Sequence, residues 1–199
     1  MGYCIRPIRS RFRTAAAFAI AALSFARVAH AQSPDDPRGR ADALFREGQQ
    51  LLTAGQVITA CEKLEESQRL DPKLGRLLNV AYCHEQLGRS ATAWGEYNQA
   101  AAMALQMGQA ERQTFARNQA GALARRLSFV QLDLTETPDL SQVTFDGREL
   151  ARDQWALPLP TDPGSHTLTF AAVGHRPRTQ VVAVATPGTV RVAVSALET

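Results

Sequence analysis

Three consecutive residues, Cys83, His84 and Glu85 in the stretch AYCHEQLG (81–88), carry a thiol, an imidazole and a carboxylate. Those groups are the ingredients of an activated nucleophile or of part of a zinc site. The surrounding residues read as a helix, and neighbours on a helix point about 100° apart, so the three cannot converge on one atom. A zinc site would also want two further ligands at suitable spacing, and only His84 is near Cys83. The expected role of His84 is a packed, hydrogen-bonded core residue. A second group, Asp162, His166 and His175, has the chemistry for a metal, but Asp162 and Gly164 read as a turn and the histidines begin and follow one strand. Trp155 and the LPLP segment at 157–160 suit a sheet edge, with Trp155 either in the core or at a glycan- or protein-binding surface. No phosphate loop, nucleophile elbow or His-Glu-x-x-His helix is present in the sequence, which agrees with a protein that is not an enzyme and needs no cofactor or metal.

The elements that position these residues begin after a distinctive N-terminus. Residues 1–14 carry four arginines and no acid, residues 15–26 are apolar, and Ala29-His30-Ala31 has the small-residue pattern of a cleavage site. Residues 1–31 therefore read as a Sec-type signal peptide, which implies a periplasmic or secreted protein of the cell envelope. The signal holds five of the 22 basic residues and none of the 19 acidic ones, so the remainder has 17 against 19 and no basic excess to suggest a nucleic-acid partner. No later apolar run is long enough to span a membrane. Cys4 falls in the signal, leaving Cys61 and Cys83 as an even pair in an oxidising compartment. Their midpoint is Pro72, in the Asp-Pro turn of an antiparallel helical hairpin, where residues equidistant from the turn lie at equal height. A disulfide between them is the expectation.

Residues 32–40 are a polar, Pro-rich leader read as disordered. From 41 to 127 the composition is helical, with expected helices at about 40–53, 56–70, 74–87, 90–106 and 110–127. A shift of 33 superposes Leu44 on Leu77, Gly48 on Ala81, Gly55 on Gly88, Ala60 on Ala93 and Leu64 on Tyr97. Two helical hairpins follow, each turning at its glycine, and the fifth helix caps the second. These residues, with Ser67, Pro72, His84 and Ala100, resemble the tetratricopeptide repeat family. The resemblance implies a concave groove lined by Asp42, Phe45, Gln49 and Leu52 from the first unit and Leu78, Asn79, Tyr82, Glu85 and Gln86 from the second. Asn79 matches one Asn of the clamp by which some family members hold a peptide carboxylate, but Phe45 stands where that clamp has lysine. A mixed aromatic and amide groove for a protein or peptide is the implied site.

From 128 to 199 apolar residues alternate with polar ones: Val130, Leu132 and Leu134; Val143 and Phe145 before Asp146-Gly147; Leu168 and Phe170; residues 179–185; Val190, Val192 and Val194. That pattern predicts a small antiparallel β-sandwich. Pro138, Asp146-Gly147, the segment from Asp162 to Phe170 and Gly174 resemble PEGA-type β domains of bacterial envelope proteins, although 138–141 reads Pro-Asp-Leu-Ser. The chain is thus expected to be α+β: signal 1–31, leader 32–40, helical array 41–127 and β-sandwich 128–199. Its expected function is a non-enzymatic interaction scaffold that binds a protein or peptide in the helical groove. A cell-wall or polysaccharide ligand held by the β domain is the alternative.

Overall fold

The computed structural model describes residues 36–135, 139–185 and 187–199. The expected signal peptide, the first residues of the leader and Pro138 lie outside the described residues. Among the described residues the order of elements is α+β: five helices, α1 (Pro37–Thr53), α2 (Val57–Leu70), α3 (Leu74–Gln86), α4 (Ser90–Gln106) and α5 (Ala110–Ala124), then seven strands. Among the described residues no helix is long and apolar enough to cross a membrane.

α1 begins at Pro37, inside the segment read as a disordered leader. The physical reason is local: the carboxylate of Asp36 accepts from the backbone N–H groups of Arg38 and Gly39 at 3.2 and 3.3 Å, and Pro37 occupies the first turn, where its missing N–H costs nothing. The hairpin turns repeat as the sequence does. Gly55 and Gly88 both have φ of 75°, a left-handed conformation that lets the chain leave one helix and enter the next. Gly48 serves closeness instead, because a Cβ built there would lie 2.7 Å from Leu64 Cγ. The hydroxyl of Ser67 donates to the Ala41 carbonyl at 2.7 Å, so α1 and α2 also meet through a buried polar contact.

The helical core has two parts. Ala60, Cys61, Leu64, Val80 and Cys83 form the smaller one. The larger joins Leu74, Leu77, Ala81, Ala93 and Tyr97 to Ala116, Ala120 and Leu123 of α5. Alanines at the contact positions let the helix axes approach closely, and α5 covers the face that α4 would otherwise leave open.

The strands are β1 (Ser128–Asp133), β2 (Leu140–Phe145), β3 (Arg148–Glu149), β4 (Leu159–Thr161), β5 (Gly164–Ala172), β6 (Arg178–Val184) and β7 (Gly188–Ala193). One sheet has the order β4-β1-β7 and the other β3-β2-β5-β6. A single cluster containing Val130, Val143, Leu168, Phe170, Val184 and Val192 fills the space between them, which makes the β part a two-sheet sandwich. The pairing is antiparallel except for β1 with β7, which run parallel in the register Val130 with Val190 and Leu132 with Val192. A parallel pair needs a long crossover, and here the whole of the other sheet supplies it. Leu159 and Pro160 of the LPLP segment, with Thr161, form the edge strand β4, which among the described residues pairs with β1 alone. Trp155 belongs to the core: it is buried, its indole N–H donates to the Leu150 carbonyl at 3.0 Å, and Arg152 lies 5.0 Å from the ring.

Candidate functional site: two clefts and three buried clasps

Residues 83 to 85 point in three directions. The Sγ atoms of Cys61 and Cys83 are at bonding distance, 1.97 Å, with Cα atoms 5.5 Å apart, so the thiol of Cys83 belongs to the α2–α3 hairpin rather than to a reaction. His84 is buried between two carboxylates, with Nε2 2.5 Å from Glu65 of α2 and Nδ1 2.8 Å from Glu96 of α4. Burial works against a charge on this ring, but Glu96 and then Glu65 outweigh it and raise the pKa above the ordinary histidine value. Glu85 accepts from Arg126 at 3.0 Å and from the buried Tyr97 hydroxyl at 3.4 Å. Burial foremost, then the Glu85 carboxylate, holds the Tyr97 phenol well above its usual pKa.

A third clasp was not legible in the sequence. Arg76 is only 3 % exposed; its Nη1 donates to the Asp71 carbonyl at 2.5 Å and to the Asp71 carboxylate at 2.6 Å, and its Nη2 to Asp42 of α1. Lys73 and then Arg76 lower the Asp71 pKa to about 2. Asp71 lies five residues before Arg76 and offers a faint signal, but the approach of Asp42, 34 residues away, follows only from the packing of α1.

The expected groove residues are distributed as follows. Phe45 lines a cavity of about 410 Å³ together with Asp42, Leu74, Met103, Met107 and Arg112, so α1, α3, the end of α4 and the start of α5 meet there. Gln49 lies in a separate shallow depression with Arg46, Gln50 and Thr53. Leu52 is half-buried and packs on the disulfide cluster. The Asn79 amide donates to the Gly75 carbonyl of its own helix at 2.8 Å. Tyr82 and Gln86 are exposed, whereas Glu85 is engaged as above. Phe115 of α5, 49 % exposed and edge-on to Tyr97 with centroids 6.3 Å apart, adds an aromatic that the expected groove omitted. The nine expected groove residues are therefore not gathered round one cavity: Asp42 and Phe45 share one, Gln49 lines another, and Leu78 packs on the larger helical core. Met103 and Met107, adaptable apolar side chains at the end of α4, were missed because a methionine at helical spacing reads as core.

A second cleft, of about 540 Å³, lies between the start of α4 and the β part. Its margin is fixed by Asp162, in the turn between β4 and β5. One oxygen accepts from the backbone N–H groups of Ala91 and Thr92 at 2.6 and 3.2 Å, and the other from the Thr92 hydroxyl at 2.5 Å. Arg89, which precedes α4, makes no capping hydrogen bond with its side chain, so the helix takes its cap from 71 residues further along the chain. Beside it, His166 places Nδ1 2.7 Å from Asp146 and Nε2 2.8 Å from the Asp162 carbonyl, and its ring stacks on Phe145 at 5.2 Å. Asp146 has φ of 50° in the Asp-Gly turn, and its other oxygen accepts from Thr167 N–H at 2.8 Å. His175 bonds instead to the Val173 carbonyl. Among the described residues no group of three or more His, Cys, Asp or Glu side chains could hold a metal ion.

Compared with protein-family models, with curated proteins and with solved structures, the chain matches none.

Proposed function

We propose that the chain is a non-enzymatic, exported scaffold of the cell envelope, periplasmic or secreted, built from a tetratricopeptide-type helical domain and a PEGA-like β domain. Its helical face binds a segment of a protein partner. The repeat of 33 residues, carrying the paired turns at Gly55 and Gly88 and the paired close contacts at Ala60 and Ala93, supports the family reading. A disulfide-forming pair is compatible with export, because such bonds persist in oxidising compartments. The observation that carries the functional reading is the 410 Å³ cavity, where Phe45, Leu74, Met103 and Met107 offer an apolar floor beside Arg112, while the Asp42 carboxylate at its edge is held by Arg76 and Lys73 by Asp71. That chemistry suits a large apolar side chain of a partner flanked by an acidic residue, with methionines adapting to its shape.

The test is site-specific photo-crosslinking in the cell of origin, with the reactive residue at Met107 or, as a control surface, at Val173, which is 85 % exposed in the β part. One discrete partner should crosslink at 107, not at 173, and be lost in a Phe45→Ala, Met103→Ala variant that keeps its helical content. Crosslinking of the same partner at both positions, or retention in the double variant, sinks the proposal.

A further inference from the structure

The cleft between α4 and the β part has an unusual balance of hydrogen-bonding groups. Both of its carboxylates are occupied: Asp162 holds the start of α4, and Asp146 holds His166 and the Thr167 N–H. Its donors are not. Among the described residues, the Trp94 indole N–H, the Arg148 guanidinium and the Gln154 side-chain amide N–H groups, all lining this cleft, donate to no protein acceptor. Aromatic surface is present on both sides, Trp94 from the helical side and the Phe145–His166 stack from the sheets.

We infer that this cleft binds an acidic saccharide, a chain of pyranose rings bearing carboxylates, with Trp94 against a ring and Arg148 on a carboxylate. The C–H face of a pyranose fits the negative face of an aromatic ring. A carboxylate fits the planar fork of arginine through two parallel charge-assisted hydrogen bonds. Sugar hydroxyls rotate, so they accept from the free donors of Gln154 and Trp94. A peptide fits less well, because its backbone N–H groups are obligatory donors and the cleft's carboxylates are already engaged. The volume, about 540 Å³, lies in the ordinary range for small-ligand sites, and the position between two parts of a chain is where such sites are commonly found. This site is separate from the helical cavity, and either can fail without the other.

The experiment is a titration of the 15N-labelled protein, following its two indole N–H resonances, which a Trp94→Phe variant assigns. A hexuronate tetrasaccharide should move the Trp94 resonance and leave that of the buried Trp155 in place. Arg148→Gln, at an exposed position, should weaken binding by about tenfold, the loss expected for one charge-assisted pair. The uncharged hexose tetrasaccharide should bind more weakly by a similar factor. No movement of the Trp94 resonance at millimolar hexuronate overturns the inference. So does an equal response to the neutral sugar, or a stronger one to a tetraglutamate peptide.

Discussion

The helical part and the β part solve the problem of a small core in opposite ways. Ala41, Ala60, Ala81, Ala93, Ala100, Ala104, Ala116 and Ala120 are among the buried residues of the helices, whereas among the described residues the β core contains no alanine and relies on Val, Leu, Phe and Trp. An alanine gives close approach but little apolar area, so each helical contact contributes less than a buried Leu or Phe would. The helices add polar and covalent pins at the same places: the Cys61–Cys83 bond, His84 between Glu65 and Glu96, and Arg76 between Asp42 and Asp71. Stability in the helical part should therefore respond to redox state and in the β part mainly to side-chain volume, while pH acts on both, through His84 in one and His166 in the other.

The largest expected effect lies in the β part. Phe170, fully buried between the sheets, should cost about 3–5 kcal/mol when replaced by alanine. Denaturant unfolding followed by Trp155 fluorescence in a Trp94→Phe background reads this change; a loss below about 1 kcal/mol would mean that the sheets collapse round the cavity and that volume does not govern this half. Next comes reduction of the disulfide, which should destabilise the helices by roughly 3 kcal/mol in the chain-entropy picture and leave the Trp155 transition where it was. Equal shifts in both transitions would erase the distinction between the two parts.

Smaller effects sharpen the role of close approach. Gly48→Ala should cost about 1–3 kcal/mol, since its Cβ would sit 2.7 Å from Leu64 Cγ. Gly121→Ala, in α5 with nothing within 4 Å, should instead stabilise by roughly 0.5–1 kcal/mol. Thermal melts of the two variants should move in opposite directions. The smallest effect is pH dependence. Because the folded-state pKa of His84 is raised, its contribution is fully present below the unfolded value of about 6.5 and is lost as pH rises through the folded value. The helical melt should fall over that interval, and His84→Gln should flatten the slope; an unchanged slope would assign the dependence to another group.

How much of this was legible follows from the range over which each feature is decided. The glycine turns, the five helices and the facing cysteines depend on spacing along a short stretch, and the sequence displays them. The cap of α1 was equally local, since Asp36-Pro37 is a start signal, but it was obscured by the polar composition around it. The parallel pairing of β1 with β7, the burial of Arg76 and the two carboxylates round His84 arise from approaches between distant segments, which no periodicity records. The two clefts belong to the same class: each is bounded by elements whose neighbours in space are not neighbours in sequence. The donor excess in the second depends on the partners of Asp146 and Asp162, which come from other elements of the fold.

The cap that Asp162 gives to α4 has a consequence in time as well as in space. Synthesis proceeds from the N-terminus, and domains generally fold as they emerge, so the helices can pack before the β part exists. In that interval the first backbone N–H groups of α4 lack their carboxylate partner, and the helix is completed only when Asp162 arrives 71 residues later. The start of α4 therefore reports whether the second half of the molecule has folded, and the cleft beside it exists only in the finished chain.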